Sequence, residues 1–170
     1  MEISFIPNVF DKNELTIISN IINENDWHSA ETSNLEYSDH RSTKIKWTSN
    51  NILKEKILKI FNIANNLHYN FDIEIIKDIS ILRYDLNDFY EKHIDIGRIN
   101  EHRKLSLIVP LSNNYDGGDT IFYTGKNPVY MLKDINAATV FPSFVLHEVT
   151  KVTKGTRYSL VAWAEGKRFK

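Results

Sequence analysis

A histidine and an aspartate stand two positions apart in the segment YDLNDFYEKHIDIG, residues 84–97. In a β-strand, residues i and i+2 face the same side, so His93 and Asp95 would project together, about 6–7 Å apart. Ile94 and Ile96 would then face apolar packing. An imidazole and a carboxylate placed this way can bind one metal ion. The alternative is a pair of solvated polar residues on an exposed strand face, because this spacing is common.

A second histidine, His147, begins another β-prone run in FPSFVLHEVTKVTKGTRYSLVAW, residues 141–163. Two imidazoles and one carboxylate make up the facial ligand set that binds non-haem Fe(II) and leaves positions free for oxygen and a cosubstrate. The chain has no cysteine, which excludes thiolate metal sites and Cys nucleophiles. His93, Asp95 and His147 are therefore candidate iron ligands. The alternative for His147 is a hydrogen-bonded histidine of the core.

Arg157 begins the last β-prone run. If residues 157, 159 and 161 face inward, an arginine lies inside the protein, where an unpaired cation costs several kcal/mol. The far carboxylate of a dianionic cosubstrate, bound through a bidentate fork, would offset that cost. Ser159 could donate a second hydrogen bond to the same carboxylate. The alternative is an arginine at the strand edge that extends its charge into solvent.

Two amphipathic helices and many short strands are predicted to position these residues. Apolar residues recur at helical spacing over 11–25, with Asp11 or Asn13 as cap, and over 49–70, with Ser49 or Asn50 as cap. Between the helices we expect a loop and one strand near 43–47. Further β-prone runs lie at 72–77, 79–85, 104–111, 119–123, 128–133, 138–141, 145–152 and 157–164. Strands at this spacing predict a sandwich, barrel or jelly roll.

The bulk composition predicts one domain over residues 1–170, with a helical part (1–70) and a β-rich part (71–170). With 21 basic and 22 acidic side chains, the formal charge is −1, which gives no reason to expect nucleic acid or an anionic membrane as partner. No apolar run approaches the roughly 18–20 residues that span a bilayer. We therefore expect a cytoplasmic protein. The sequence does not indicate the oligomeric state.

Several motifs together resemble the prolyl-4-hydroxylase-like branch of the Fe(II)/2-oxoglutarate-dependent dioxygenases, from about Trp27 to Trp163. The family has one Tyr, a second Tyr six residues later, and His-x-Asp three residues after that. The matching segments here are HRSTKIKW (40–47), Tyr84, Tyr90, His93 and Asp95, RKLSLIVPLS (103–112), DGGDTIFY (116–123), VFPSFVLHEV (140–149), Gly155 and Arg157. All of these segments lie in register with the family pattern.

The resemblance implies a mainly β α+β fold, a double-stranded β-helix (jelly roll) with N-terminal helices packed on its major sheet. It also implies Fe(II) on His93, Asp95 and His147, and 2-oxoglutarate as cosubstrate on Arg157, with ascorbate as a candidate reductant. Tyr84 would donate its hydroxyl to the cosubstrate or to metal-site water, with a buried structural tyrosine as an equal alternative. The implied reaction with O2 hydroxylates an unactivated C–H.

Three positions depart from the family pattern. Pro110 replaces a large residue near the cosubstrate and predicts a strand edge or bulge, so Ser106 or Ser159 would supply the missing hydroxyl contact to 2-oxoglutarate. Asn87 and Asn136 stand where glycine is usual, and asparagine tolerates the same left-handed backbone.

A prolyl residue in a peptide or protein is the expected substrate, and a free amino acid or other small molecule is the alternative. Loops 28–42 and 96–103 would shape the substrate groove, with Arg98, Arg103 and Lys104 interpreted as solvated loop charges. The remaining histidines, of which His28 is one, are interpreted as ordinary polar residues. Two further hypotheses are a catalytically silent jelly-roll module and a cupin-like metalloprotein without 2-oxoglutarate.

Overall fold

The computed structural model describes residues 2–30 and 40–169, and its two α-helices begin at side-chain caps. Helix α1 spans Lys12–Asn23 and starts at a capping box, in which Asp11 and Glu14 each accept a hydrogen bond from the other's backbone N–H. Helix α2 spans Asn51–Ala64, is capped by Asn50, and continues as a π-helical turn over Asn65–Tyr69. The two predicted helices are confirmed. Their α-helical parts end at Asn23 and Ala64, earlier than the predicted ends at 25 and 70.

The described residues also form fourteen strands in three sheets. The strands are β1 Ser4–Ile6, β2 His28–Ser29, β3 Arg41–Ser42, β4 Lys44–Thr48, β5 Ile75–Tyr84, β6 Phe89–His93, β7 Arg103–Pro110, β8 Asp116–Gly117, β9 Thr120–Phe122, β10 Val129–Tyr130, β11 Ala138–Pro142, β12 His147–Val149, β13 Val152–Lys154 and β14 Arg157–Glu165. The major sheet has the order β1-β11-β7-β14-β5-β4-β2. The minor sheet has the order β10-β9-β12-β6-β3, and β8 pairs with β13.

Two buried clusters lie on opposite faces of the major sheet, because side chains alternate along its strands. Ile81, Leu107 and Leu160 face one way and pack with helices α1 and α2. Their neighbours Leu82, Ile108 and Val161 face the other way and pack with residues of the minor sheet. The second cluster also includes Tyr84, Phe122, Phe141 and Val149. The helices therefore brace the major sheet, and the space between the two sheets is left for a site.

This architecture is the mainly β jelly roll with helices on the major sheet that the sequence predicts. Helices α1 and α2 share one buried core with the major sheet, which supports a single domain over 1–170, although that organisation stays a prediction. No helix in the described ranges is long and apolar enough to cross a membrane.

Several predicted strands have different bounds. The runs 72–77 and 79–85 form one continuous strand, β5, which pairs along its length with β14. The run 145–152 is divided into β12 and β13, which pair with different partners.

The prediction that Pro110 marks an edge or bulge is wrong. Pro110 is the last residue of β7, an inner strand, and lies opposite Ser159 of β14. A strand end tolerates proline because the ladder stops there.

The left-handed backbone predicted for the two asparagines is confirmed, with φ of 69° at Asn87 and 63° at Asn136. Asn136 also fastens the N-terminal segment to the sheet. Its side-chain oxygen accepts from the Phe10 N–H at 2.8 Å, and its amide nitrogen donates to the Phe10 carbonyl at 2.9 Å. The polar side chain therefore gives this turn two hydrogen bonds that glycine would lack.

Candidate metal and cosubstrate site

His93, Asp95 and His147 meet between the two sheets, with one ligand atom from each lying within 4.8 Å of the others. The Nε2 atoms of His93 and His147 lie 3.7 and 3.8 Å from the two carboxylate oxygens of Asp95. Strand pairing brings the histidines together, because His147 of β12 lies directly opposite His93 of β6. The arrangement has the N/N/O donor set and the convergence that a divalent iron ion requires.

Asp95 reaches this position differently from the prediction. Strand β6 ends at His93, and Asp95 lies in the bend that follows, where its N–H donates to the Ser143 carbonyl at 2.8 Å. Ile94 is 47% exposed and does not pack into the core. The strand alternation assumed for residues 93–96 is therefore wrong, although both proposed ligands do face the same cleft.

Backbone carbonyls fix which nitrogen of each imidazole faces the cleft. The Nδ1 of His93 lies 2.7 Å from the Glu91 carbonyl, and the Nδ1 of His147 lies 2.9 Å from the Val145 carbonyl. A carbonyl oxygen only accepts, so each Nδ1 carries the hydrogen in the neutral ring. Each Nε2 therefore keeps its lone pair for a metal ion.

The carboxylate of Asp95 is oriented by a hydroxyl from the major sheet. Ser106 of β7 donates to Asp95 Oδ2 at 2.6 Å, and its own oxygen lies 3.0 Å from the Ser143 hydroxyl. Both serines are fully buried. Sequence reasoning assigns Ser106 to 2-oxoglutarate, and that role stays a prediction. Its observed partner is a candidate metal ligand.

The electrostatics of the cluster favour the ionisation states that bind a metal. Burial, reinforced by the neighbouring His147, lowers the pKa of His93 to about 4, so His93 is neutral at pH 7. Burial alone would raise the pKa of Asp95. Its proximity to His147 and His93, together with the Ser106 hydroxyl, outweighs burial and holds that pKa below its usual value. A neutral imidazole and an ionised carboxylate are the forms that coordinate.

Arg157 is a buried cation with only neutral partners among the described residues. Its side chain is 2% exposed, and its guanidinium donates to the Ser159 and Thr120 hydroxyls at 3.0 Å each. Its charge also lies 4.9 Å from the centre of the Tyr84 ring. The predicted inward alternation is confirmed, since residues 157, 159 and 161 all line the cleft. A buried guanidinium without a carboxylate is suited to an anionic ligand.

Tyr84 and Ser159 also line the cleft beside Arg157. Tyr84 is 1% exposed and lies opposite Arg157 in the pairing of β5 with β14. These positions are compatible with the expected contacts to 2-oxoglutarate, and both roles stay predictions. Thr120 is a residue that sequence reasoning missed. Its place depends on the register of β9 with β12, which brings Thr120 opposite Val149.

The cleft has a volume of about 640 Å³ and is walled by aromatic and cationic side chains, among them the motif residue Tyr90 and Arg103 of the loop 96–103. Tyr90 stacks on the His93 ring at 3.5 Å, and Arg41 lies over Tyr90 at 4.5 Å. Arg103 lies over Trp163 at 3.8 Å. The stacked Tyr90 ring restricts rotation of the His93 imidazole and excludes water from the imidazole face that it covers.

The described residues include one of the two expected substrate loops in full and part of the other. Residues 31–39 of the loop 28–42 lie outside the described residues. In the loop 96–103, Asn100 and Arg103 line the cleft, whereas Arg98 is exposed as expected. The interpretation of Arg103 and Lys104 as solvated charges is wrong, because the Nε of Arg103 is buried and Lys104 is buried over the Phe169 ring.

The other histidines form local contacts or lie at the surface. His68 lies 3.0 Å from Glu2, His102 lies 3.2 Å from the Gly166 carbonyl, and His40 contacts Glu91. His28 is exposed but borders the cleft, which the sequence does not indicate.

Comparisons with known proteins identify the family of this chain. A model of the 2OG-Fe(II) oxygenase superfamily matches residues 79–165. A PKHD-type hydroxylase of Gloeothece citriformis is 25% identical over 176 residues, covering 94% of this chain and 76% of the relative. A PKHD-type hydroxylase of Prochlorococcus marinus strain AS9601 is 25% identical over 158 residues, covering 88% and 72%.

Solved structures share the fold at low sequence identity. A Pseudomonas putida prolyl-4-hydroxylase aligns with a TM-score of 0.78 and 17% identity, covering 97% of this chain and 92% of that one. A Trichoplax adhaerens prolyl hydroxylase, solved with a hypoxia inducible factor peptide fragment, aligns with a TM-score of 0.82 and 18% identity, covering 96% and 83%.

The chain belongs to the 2OG-Fe(II) oxygenase superfamily. It is therefore a 2-oxoglutarate-dependent iron oxygenase of the double-stranded β-helix fold, with Fe(II) and 2-oxoglutarate as cofactors and O2 and an organic substrate as reactants. The prediction of an oxygenase is confirmed. The family match favours it over a catalytically silent module and over a cupin-like metalloprotein without 2-oxoglutarate.

Proposed function

We propose that this oxygenase hydroxylates a prolyl residue in a peptide or protein. His93, Asp95 and His147 would hold Fe(II), and Arg157 would bind the far carboxylate of 2-oxoglutarate. The observation that carries the proposal is the convergence of three N/O ligand atoms within 4.8 Å, in the same cleft as a buried arginine that pairs with no carboxylate among the described residues. When bound, iron and 2-oxoglutarate would supply the oxidation: 2-oxoglutarate loses carbon dioxide and becomes succinate with one oxygen atom of O2, and the other oxygen atom enters the substrate as an alcohol.

The chain's own contribution would be orientation and exclusion of water. The two Nδ1–H groups, each bound to a backbone carbonyl, hold the imidazoles so that Nε2 points at the metal. Ser106 holds the Asp95 carboxylate in one rotamer. Phe122 and Phe141 pack beside His147, with ring centres 6.0 and 4.9 Å from the imidazole, and would keep the inner side of the site apolar.

The cosubstrate end of the cleft would select a dianion. Arg157 keeps its guanidinium in place through Ser159 and Thr120, two neutral hydroxyls that leave its charge uncompensated. Gly118 lies against this side chain, since a Cβ there would come within 3.1 Å of Arg157 Cδ. The arginine therefore has one defined rotamer, which favours binding because little entropy remains to be lost.

The size of the cleft supports a peptide substrate. Beyond the main cleft of about 640 Å³, a second depression of about 190 Å³ shares Trp47, Asn100, Arg103 and Trp163 with it. The surface groove thus continues outward from the metal site over two tryptophans. The structural relatives named above are prolyl hydroxylases, and one of them was solved with a peptide fragment.

The alternative substrate, a free amino acid, is favoured by one observation, the pair of arginines Arg41 and Arg103 in the main cleft. An α-carboxylate is the group on a free amino acid that such arginines bind. Both substrate classes are compatible with the same metal and cosubstrate residues.

The test is turnover of purified enzyme supplied with Fe(II), 2-oxoglutarate and proline-containing peptides. We expect succinate release that depends on the peptide and a peptide mass increased by one oxygen atom on proline. Asp95→Ala should abolish both signals. Parallel reactions with free L-proline test the alternative, and reactions without ascorbate test whether that reductant is needed. Succinate release that no proline compound stimulates would refute the prolyl assignment.

A further inference from the structure

Three buried nitrogen atoms lack a hydrogen-bond partner within the described part of the chain, and all three belong to residues that line the main cleft. They are Arg41 Nε, Arg103 Nε and Trp163 Nε1. Each is a donor and none can accept. A buried unpaired donor costs roughly 1–3 kcal/mol, so three in one cleft indicate a ligand that supplies acceptors.

Aromatic rings hold the two arginines in place. Arg41 lies over the Tyr90 ring at 4.5 Å, and Arg103 lies over the Trp163 ring at 3.8 Å. Arg103 also donates from Nη1 to the Asp95 carbonyl at 3.3 Å. The rings cover the flat faces of the two guanidinium groups, and the hydrogen bond to Asp95 uses Nη1 of Arg103. Neither kind of contact uses the Nε–H donors, which therefore stay unpaired among the described residues.

The charges in the cleft do not balance once the cofactors are counted. In a formal count, the charges of Fe(II) and the dianion 2-oxoglutarate sum to zero, and so do those of Arg157 and Asp95. Arg41 and Arg103 remain as two positive charges among the described lining residues. Glu165, at the outer end of the groove, attracts Arg103 but forms no ion pair with it in the described part of the chain.

The two arginines border the metal ligands on both sides. Tyr90, under Arg41, is stacked on the His93 ring at 3.5 Å, and the Arg103 guanidinium contacts the backbone of Asp95. A group bound between Arg41, Arg103 and the Trp163 N–H would therefore lie beside the reacting carbon. These donors are distinct from the Arg157 guanidinium, which Ser159 and Thr120 hold in place for the far carboxylate of 2-oxoglutarate.

We infer that the substrate carries a carboxylate close to the carbon that is hydroxylated, and that Arg41, Arg103 and Trp163 bind it. The inference rests on the proposed function, since it assumes that the substrate binds beside the metal ligands. A carboxylate fits because its acceptors are compatible with three donors, and its charge offsets the excess positive charge. It is either the α-carboxylate of a free amino acid or an acidic side chain flanking the target residue of a peptide.

The test compares matched ligands that differ only in this charge. One series is the L-amino acids, proline included, against their α-amides. The other is the capped peptide Ac-Asp-Pro-Asp-NH2 against Ac-Asn-Pro-Asn-NH2. Binding is measured by calorimetry on anaerobic enzyme loaded with Fe(II) and 2-oxoglutarate. We expect at least one carboxylate to bind about 10- to 100-fold more tightly than its amide. This is the difference in affinity that one charge-assisted hydrogen bond contributes.

The variants Arg41→Gln and Arg103→Gln should reduce this ratio towards one. Arg98→Gln removes the same charge from an exposed position outside the cleft and should leave the ratio unchanged. A preference within the amino-acid series identifies the α-carboxylate, and a preference within the peptide pair identifies the acidic side chain. If no carboxylate binds better than its amide, or if the Gln variants keep the preference, the inference is wrong.

A separate readout distinguishes this inference from the proposed function. The visible charge-transfer band of bound Fe(II) and 2-oxoglutarate reports the metal and cosubstrate site alone. If that band is absent in the wild-type enzyme, the proposed function fails. If the band is present in wild type and in Arg41→Gln but no carboxylate is preferred, only the inference fails. Arg41→Gln is the more informative variant, because Arg41 does not hydrogen-bond to a candidate metal ligand in the described structure.

Discussion

Replacing Ser106 by alanine should weaken iron binding without altering the cosubstrate contacts. The Ser106 hydroxyl donates to Asp95 Oδ2 at 2.6 Å inside the protein, and both Ser106 and Ser143 behind it are fully buried. A hydrogen bond to a charged group is worth about 1.5–3 kcal/mol. Expressed as affinity, that is a loss of about 10- to 100-fold for Fe(II), the range typical of residues that orient metal ligands.

The assay is an anaerobic competition titration of Fe(II) against a chelator, followed by a 2-oxoglutarate titration at saturating iron. Ser80→Ala is a matched control, because Ser80 is equally buried in the same sheet and donates only to the Val161 carbonyl at 3.3 Å. We expect the control to bind iron like the wild type, and the Ser106 variant to keep its 2-oxoglutarate affinity once iron is saturating.

Two results would contradict this reasoning. Unchanged iron affinity in Ser106→Ala would mean that Asp95 is held adequately by its backbone hydrogen bond to Ser143. Weaker 2-oxoglutarate binding with normal iron affinity would favour the role that the sequence assigns to Ser106, a direct contact with the cosubstrate.

Three further predictions concern the cosubstrate anchor and the backbone. Arg157→Gln should weaken 2-oxoglutarate binding at least about tenfold, because charge-assisted hydrogen bonds are lost, and unchanged affinity by calorimetry would refute the assigned role. Gly118→Ala should also weaken it, since the new Cβ would lie 3.1 Å from Arg157 Cδ at a φ of +57°, whereas Gly125→Ala, with nothing within 4 Å, should not. Asn136→Ala should lower the free energy of unfolding by roughly 2–4 kcal/mol in urea titrations, from the left-handed φ and two lost hydrogen bonds. Asn136→Gly should recover part of that loss, and a neutral Asn136→Ala would contradict it.

The sequence predicts the parts of the site that depend on local periodicity and residue type. Arg157 and Ser159 follow from the alternation of one strand, and His93, Asp95 and His147 follow from residue types that together form a known iron-ligand set. Motif spacing connects these segments, and the fold agrees with the architecture that the spacing implies.

The parts that sequence reasoning missed depend on pairing between distant strands. Thr120 reaches Arg157 only because β9 pairs with β12 in one particular register. Arg103 lies over Trp163 because β7 and β14 are neighbours, although the two residues are sixty positions apart in the sequence. The end of β6 at His93 likewise results from contacts with β12 and Ser143, so a rule based on local alternation misplaced Asp95 in the strand.

The central claim is that His93, Asp95 and His147 hold Fe(II) in a cleft that also binds 2-oxoglutarate. The most direct test is an anaerobic titration of Fe(II) and 2-oxoglutarate into purified protein, which needs no knowledge of the substrate. We predict a visible charge-transfer band in the wild-type protein and its loss in His147→Ala. Iron binding without the band, or a band that persists in His147→Ala, would contradict the account.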